Sequence, residues 1–429
     1  MRRGKIGLIS KIWILFLMSL FLFPMTSSGQ YSFELIPRIS VSQVYDDNIY
    51  LDNINEKSDY LTTVSPGINL TISSLNNSLS LDYAPTWVWY DKHDENDTVR
   101  QAGTLGFWQN MAEHLRFDLT DTYLRTEEPI EETEDVEGVR TSRNTYQRNT
   151  GNASLRYQFG PEDTIAFGYR HNLLENEDPT LVDGRIQNPF AVINYWFNVR
   201  NGLELDYGFT DANFSREDDV MAGDDYTGHA TGIQYIYRIT PYTRGSIGYN
   251  FTNRNFEGLT EEDYKVHEGS VSFEHAFSPD LSVSIGGGPF IQQNEISDDE
   301  TGYSYDALLV KRFERGSFTI GGRGGWDEAY LEAERRGFTT YWSANTTLDY
   351  QIMEPLSVYG GVSYRQDKDP ADREWETRRG NSGLRWAFLR WFSLSLDYSY
   401  AVRDDDVNTE DFRVNRVMLL LTASKQLRW

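Results

Sequence analysis

Nine arginines have the spacing to act together: Arg116, Arg156, Arg170, Arg238, Arg244, Arg323, Arg365, Arg385 and Arg403. Each falls on the polar phase of an alternating segment, as do Asp82, Asp118, Glu204, Asp206, Glu274, Asp349 and Asp397. Guanidinium groups along a hydrated path would guide an anionic solute. Beside those carboxylates they would instead pair and stiffen a wall. The sequence leaves both readings open. The six histidines (His93, His114, His171, His229, His267 and His275) belong to no H-E-x-x-H or G-x-S-x-G neighbourhood, and the nearest His–carboxylate juxtaposition is His171-Asn172 before Glu175. Gly286-Gly287-Gly288 and Gly321-Gly322-Arg323-Gly324-Gly325 lack the Lys-Ser/Thr of a phosphate loop and read as bends or room for a bulky neighbour. Asp46-Asp47-Asn48 and the run from Glu127-Glu128 to Glu137 carry enough oxygens for a divalent cation, without EF-hand spacing. No catalytic residue, no cofactor and no metal site is expected, so the chain reads as a non-enzyme.

The chain has 429 residues and no cysteine, which removes disulfides, thiolate metal sites and a lipid-anchored N-terminus. Its net charge of −25 argues against nucleic acid as a partner. It suits a surface facing lipopolysaccharide through bridging divalent cations, and equally solvated loops. Arg2, Arg3, Lys5 and Lys11 precede an apolar core from Ile12 to Phe23, too short to span a bilayer, and Ser27-Ser28-Gly29 supplies small residues for cleavage. The expected organisation is a cleaved signal peptide over 1–29 and a single domain over 30–429.

The polar residues need elements to hold them. Leu203-Glu204-Leu205-Asp206-Tyr207-Gly208-Phe209 and Phe392 to Tyr400 alternate strictly, as do Leu79 to Tyr83 and Leu281 to Ile285. Period two gives each strand one apolar and one polar face. Tight-turn residues recur at Leu75-Asn76-Asn77, Gly160 to Asp163, Arg200-Asn201-Gly202, Thr240-Pro241, Ser278-Pro279-Asp280, Arg315-Gly316 and Met353-Glu354-Pro355. Between them lie longer acidic loops: 91–97, 127–141, 175–184, 217–225, 295–300, 367–373 and 403–411. Segregated loop lengths, 27 Tyr, 23 Phe and 11 Trp, and too many strands for one soluble core point to a transmembrane barrel. The predicted fold is an all-β, antiparallel, up-and-down barrel of about 20 strands (range roughly 18–22) in the cell outer membrane. Its apolar faces meet lipid and its N-terminus is periplasmic. Trp429 and Leu427, with Ala423, Leu421 and Leu419, form a C-terminal strand suited to closing the barrel and to recognition by the assembly machinery, and Lys425 interrupts that face.

Three segments carry a family resemblance: Pro37 to Tyr50 with Ser42-x-x-Tyr45-Asp46-Asp47-Asn48, then Ser58 to Ile68 with six residues between Asp59 and Pro66-Gly67, then Ser78 to Pro85. They resemble the openings of outer-membrane β-barrel porin families associated with exopolysaccharide and PEP-CTERM (exosortase) systems. The resemblance covers about the first sixty residues after the leader. It implies an outer-membrane barrel with a role in polysaccharide export, and no catalytic residues. Three functions fit such a chain: a channel for a polar solute or exopolysaccharide; a structural or adhesive barrel with a plugged lumen and cation-binding loops; and a barrel enzyme.

Overall fold

The computed structural model describes residues 31–129, 143–215, 225–258, 261–329, 337–406 and 410–429. The expected leader and parts of loops 127–141, 217–225 and 403–411 lie outside the described residues. Twenty strands follow in order: β1 Ser32–Asp46, β2 Asp59–Ser73, β3 Asn77–Tyr90, β4 Thr98–Ala112, β5 Leu115–Thr126, β6 Tyr146–Gln158, β7 Thr164–Asn176, β8 Asp183–Trp196, β9 Asn201–Ser215 and β10 Tyr226–Thr240. The second half comprises β11 Thr243–Phe256, β12 Tyr264–Ser278, β13 Leu281–Asn294, β14 Glu300–Phe313, β15 Gly316–Ala329, β16 Gly337–Met353, β17 Leu356–Lys368, β18 Glu374–Leu389, β19 Phe392–Asp405 and β20 Phe412–Ser424. Every strand pairs antiparallel with its sequence neighbours, and β20 pairs with β1, so the sheet closes. Leu427–Arg428 rejoins β1 in the register of β20 after a gap at Lys425-Gln426 and is the end of the same strand. Twenty strands spaced ~4.8 Å and tilted ~40° close into a backbone cylinder roughly 40 Å across.

Register decides what each face meets. Arg38 of β1 bonds Asp82 of β3, and Arg238 of β10 bonds Glu162 in the β6–β7 turn. Side chains of non-neighbouring strands can meet only on the concave side, so these mark the interior. Parity carried through the ladders places Ile247, Ile285, Leu348, Leu396 and Leu421 on the opposite, outer face, where they are exposed. A closed ladder with an apolar outer face is the form in which strands can cross lipid, because no backbone edge stays unpaired there.

The outer face is bounded toward the long loops by a repeated pair. Tyr83, Tyr123 and Tyr169 donate to Gln101, Gln147 and Gln187; Tyr364 and Tyr398 donate to Glu376 and Asn415. Tyr207 and Tyr249 lie 2.8 and 2.7 Å from Nδ1 of His229 and His267. Each partner stands opposite the residue two beyond the tyrosine, so the ring lies over apolar wall while its hydroxyl reaches a polar group. That suits an aromatic side chain at a membrane boundary.

The short turns share one end with both chain ends. Two had no turn-residue signature, Glu113-His114 and Arg390-Trp391, and the β8–β9 turn spans Phe197 to Arg200 because Asn201 and Gly202 already belong to β9. At this end Phe33 and Trp429 exchange two backbone hydrogen bonds of 3.1 Å, and their rings stack 6.2 Å apart at 5°. Lys425 sets its ammonium 5.2 Å from the Trp391 ring, which accommodates a cation on the apolar face.

Candidate functional site: the lumen and its mouth

All nine arginines lie on the inner face by register, and their surroundings divide them. Three follow one local rule. In a strand, residues i and i+2 share a face, and Arg116, Arg365 and Arg403 bond Asp118, Asp367 and Asp405 at 2.6, 2.7 and 2.6 Å. The R-x-D spacing was visible in the sequence and was not used. Arg238 bonds Glu162 and Arg244 bonds Glu274. Arg365 and Arg403 are buried and belong to the wall at the mouth. Arg156, Arg170 and Arg385 are exposed, and no carboxylate is paired with them among the described residues. Arg170 stacks 4.4 Å over Phe190, and Arg385 stands 5.6 Å over Tyr359. Arg323 is half-buried beside Gly321, Gly322 and Gly324.

Stacking on inward aromatic rings is general here. Arg116, Arg238, Arg365 and Arg403 lie over Trp108, Trp196, Tyr341 and Trp375 at 4.7, 3.6, 4.3 and 5.5 Å. A flat, weakly hydrated guanidinium gains from a ring face and keeps its donors at the edge free. Toward the turns, a recess of about 1090 Å³ on the inner wall is lined by Arg238, Arg244, Glu274, Ser282 and Ser284. A smaller one of about 300 Å³ lies among Asn345, Ser363, Arg379, Asn381, Ser399 and Arg416.

The motif behind the family resemblance builds one side of the mouth. The β1–β2 loop turns inward. Ile49 is buried among Leu61, Val88 and Tyr90, and Leu51 among Ala401, Phe412 and Val414. Asp46 holds Arg416 at 2.7 Å and accepts the Asn48 N–H. Asp47 accepts two bonds from Asn415, while Asn48 donates to the carbonyls of Asp52 and Arg413. Leu51 sits at φ 51, a left-handed conformation costing roughly 1 kcal/mol, held by burial on both sides. Asp59 accepts the backbone N–H groups of Lys92 and His93. Gly67 is required because Arg38 passes directly over it to Asp82; an added Cβ would lie 2.8 Å from Arg38 Nε.

Next to this loop, Glu127 receives Arg100 at 2.6 Å and the Tyr90 hydroxyl at 2.9 Å, and Arg143 donates to the Ile49 carbonyl. Burial pushes the Glu127 carboxyl up, but the bonds from Arg100 and Tyr90 hold it below its ordinary value. Of the two acidic stretches weighed as cation sites, Asp46 and Asp47 are thus engaged by Arg416 and Asn415, and Glu127 and Glu128 by Arg100, while 130–137 lie outside the described residues. Among the described residues no three His or acidic side chains converge on a metal position. Arg100, Arg143, Arg254 and Arg373 were missed in the sequence because their partners lie on other strands or loops.

Residues 25–188 match the family model described as "Putative beta-barrel porin 2". No curated protein sequence matches the chain. Among solved structures the chain is similar to the siderophore receptor PirA from Pseudomonas aeruginosa, at 10% identity over 91% of this chain and 80% of that one, with a TM-score of 0.53. It is similar to the same extent, 10% identity, 91% and 80% coverage and TM-score 0.53, to a mutant of the ferric enterobactin receptor PfeA from the same organism. At that identity the likeness concerns architecture alone. The chain is thus a closed twenty-strand antiparallel β-barrel of the outer-membrane type, and its N-terminal part, through β7 and the start of β8, is similar to that porin family.

Proposed function

We propose that the chain loses residues 1–29 on export and closes in the outer membrane as a channel-type barrel for polar, anionic solutes, acidic exopolysaccharide among them. The observation that carries this reading is the set Arg156, Arg170 and Arg385, exposed on the inner wall and free of carboxylate partners among the described residues. Fixed cations in a confined aqueous path act on passing anions at short range with little screening. The polysaccharide assignment rests further on the resemblance of the first three strands to porins of exopolysaccharide systems. Lipopolysaccharide and lipid would surround the outer face, and the assembly machinery would read the strand ending in Leu427 and Trp429.

A second reading, a structural barrel with a closed mouth, is favoured by the inward packing of Ile49 and Leu51. Planar-bilayer recording tests the choice. The channel reading expects anion-preferring conductance that falls when Arg156, Arg170 and Arg385 are changed together to Glu. A conducting pore indifferent to that reversal would remove the anion claim, and a correctly folded, non-conducting barrel would favour the structural reading.

A further inference from the structure

The mouth is narrowed on its other side by a hairpin that has left the wall. β14 and β15 are paired from Phe313↔Gly316 up to Tyr305↔Gly324, where their ladder stops. Among the described residues β15 continues to Ala329 paired only with β16, and the β14 segment Glu300–Ser304 keeps β13 as its only strand partner. At the parting point Gly325 has φ 155, and Gly337 on the returning strand has φ 67, two conformations that favour glycine. Beyond them Trp326, Glu328 and Phe338 belong by register to the outer face, with Trp342. Yet they touch inner-face groups of β11, β12 and β13. Glu328 bonds Arg254 at 2.7 Å and takes the Tyr264 hydroxyl. Phe338 packs on Tyr264, Val266 and Phe290, with Trp326 stacked 5.5 Å from it. The described ends of β15 and β16 therefore fold inward, with their outer face down on the adjoining inner wall of β11 to β13.

We propose that the described ends of β15 and β16, from Trp326 to Ala329 and from Gly337 to Phe338, form a two-position gate, inward through their contacts with β11 to β13 and outward when β15 zips onto the free edge of β14. The wall position is encoded already. The β14–β15 register, continued, sets Ser304, Tyr303, Gly302, Thr301 and Glu300 opposite Gly325, Trp326, Asp327, Glu328 and Ala329. Trp326 and Phe338 would then join Tyr305 and Trp342 on the outside, beside Tyr303, which is 75% exposed with the hairpin inward. An edge strand with its natural complement folded away next to it is a docking site whose occupant is this chain's own segment. The inward position is held by the Arg254–Glu328 ion pair, the Tyr264 hydroxyl bond and a ring cluster, with Asp327 3.8 Å from Arg365, and the outward one by the missing ladder bonds. Two such alternatives can exchange. Swinging out would widen the mouth and bare Arg254, Tyr264 and Phe290 to the lumen.

The test uses the full chain, which has no cysteine of its own, reconstituted in vesicles, with folded barrel identified by heat-modifiable gel mobility. Tyr303→Cys with Trp326→Cys sets a pair opposite each other only in the outward position and leaves Arg254 and Glu328 in place. Thr301→Cys with Glu328→Cys is a second such pair, and Leu309→Cys with Ile320→Cys, already opposite in the ladder, is the wall control. Under mild oxidation at least one gate pair should form a disulfide, and adding Arg254→Met to the 303/326 pair should speed it about tenfold. A folded barrel in which the wall control cross-links and neither gate pair does would overturn the gate. The readout needs no conductance, so its failure is separate from failure of the channel reading.

Discussion

Removing Asp405 should be among the most damaging single changes at the mouth. Asp405 accepts Arg403 at 2.6 Å and Arg373 at 2.7 Å, and both the Arg403 and Asp405 side chains are 0% exposed. Arg403 also lies over the buried ring of Trp375. Asp405→Ala leaves a buried guanidinium with Glu410 3.5 Å away. Breaking a buried pair by deleting one partner costs about 3–5 kcal/mol. Glu410 can take part of the load, so we expect about 3 kcal/mol. Glu274→Ala is the comparison: Arg244 and Glu274 are 56% and 43% exposed, and such a pair contributes ~0–1 kcal/mol. Urea unfolding of the barrel in lipid vesicles, followed by tryptophan fluorescence, reads both. Replacing the pair together, Arg403→Met with Asp405→Leu, should cost less than Asp405→Ala, because the fully buried Arg403 charge goes with its partner and the more exposed Arg373 keeps Glu410 at 2.7 Å. Equal losses for Asp405→Ala and Glu274→Ala would refute the burial argument.

Deleting Trp429 removes two backbone bonds and a ring stack from the seam, and should slow assembly and lower the yield of heat-modifiable folded barrel; unchanged folding kinetics into vesicles would count against a closing role. Leu396→Arg puts a charge on the outer face and should cost about 2–4 kcal/mol near mid-bilayer, whereas Ser395→Arg points inward beside Asp397 and should be tolerated, as paired unfolding curves would show. The Glu127 carboxyl is held below its ordinary value, so its contribution should be complete above the unfolded carboxylate pKa of about 4.3 and disappear as pH falls through the lower folded value. Stability of wild type and Glu127→Gln should therefore differ at neutral pH and converge in acid, and a gap that persists in acid would contradict this.

Strand identity was legible because alternation is written into each segment, as in Leu203 to Phe209, and a period of two has one structural meaning. The face of each arginine followed from the same parity. Turns without Gly, Pro, Asn or Asp, such as Glu113-His114, were not legible: there the ladders on both sides enforce a bend that no local residue announces. Reach was not legible either. Arg365 and Arg385 share a parity, yet one is buried against Asp367 and the other is exposed over Tyr359. The inward course of Asp46 to Asp52 and of Trp326 to Phe338 was hidden for a different reason. Both segments carry apolar residues whose partners stand on strands distant in sequence, so only the closed barrel brings them together.

The central claim is that the apolar face of the sheet meets lipid and the polar face encloses water. Single cysteines introduced from Leu394 to Ser399 on β19 test it directly, with the barrel in vesicles and two probes, a charged maleimide in water and a collisional quencher dissolved in lipid acting on a fluorophore at the cysteine. Positions 394, 396 and 398 should answer to the lipid quencher and resist the charged reagent, while 397 and 399 should do the reverse and 395, buried beside Asp397, should resist both. An inverted alternation, or none, would contradict the account.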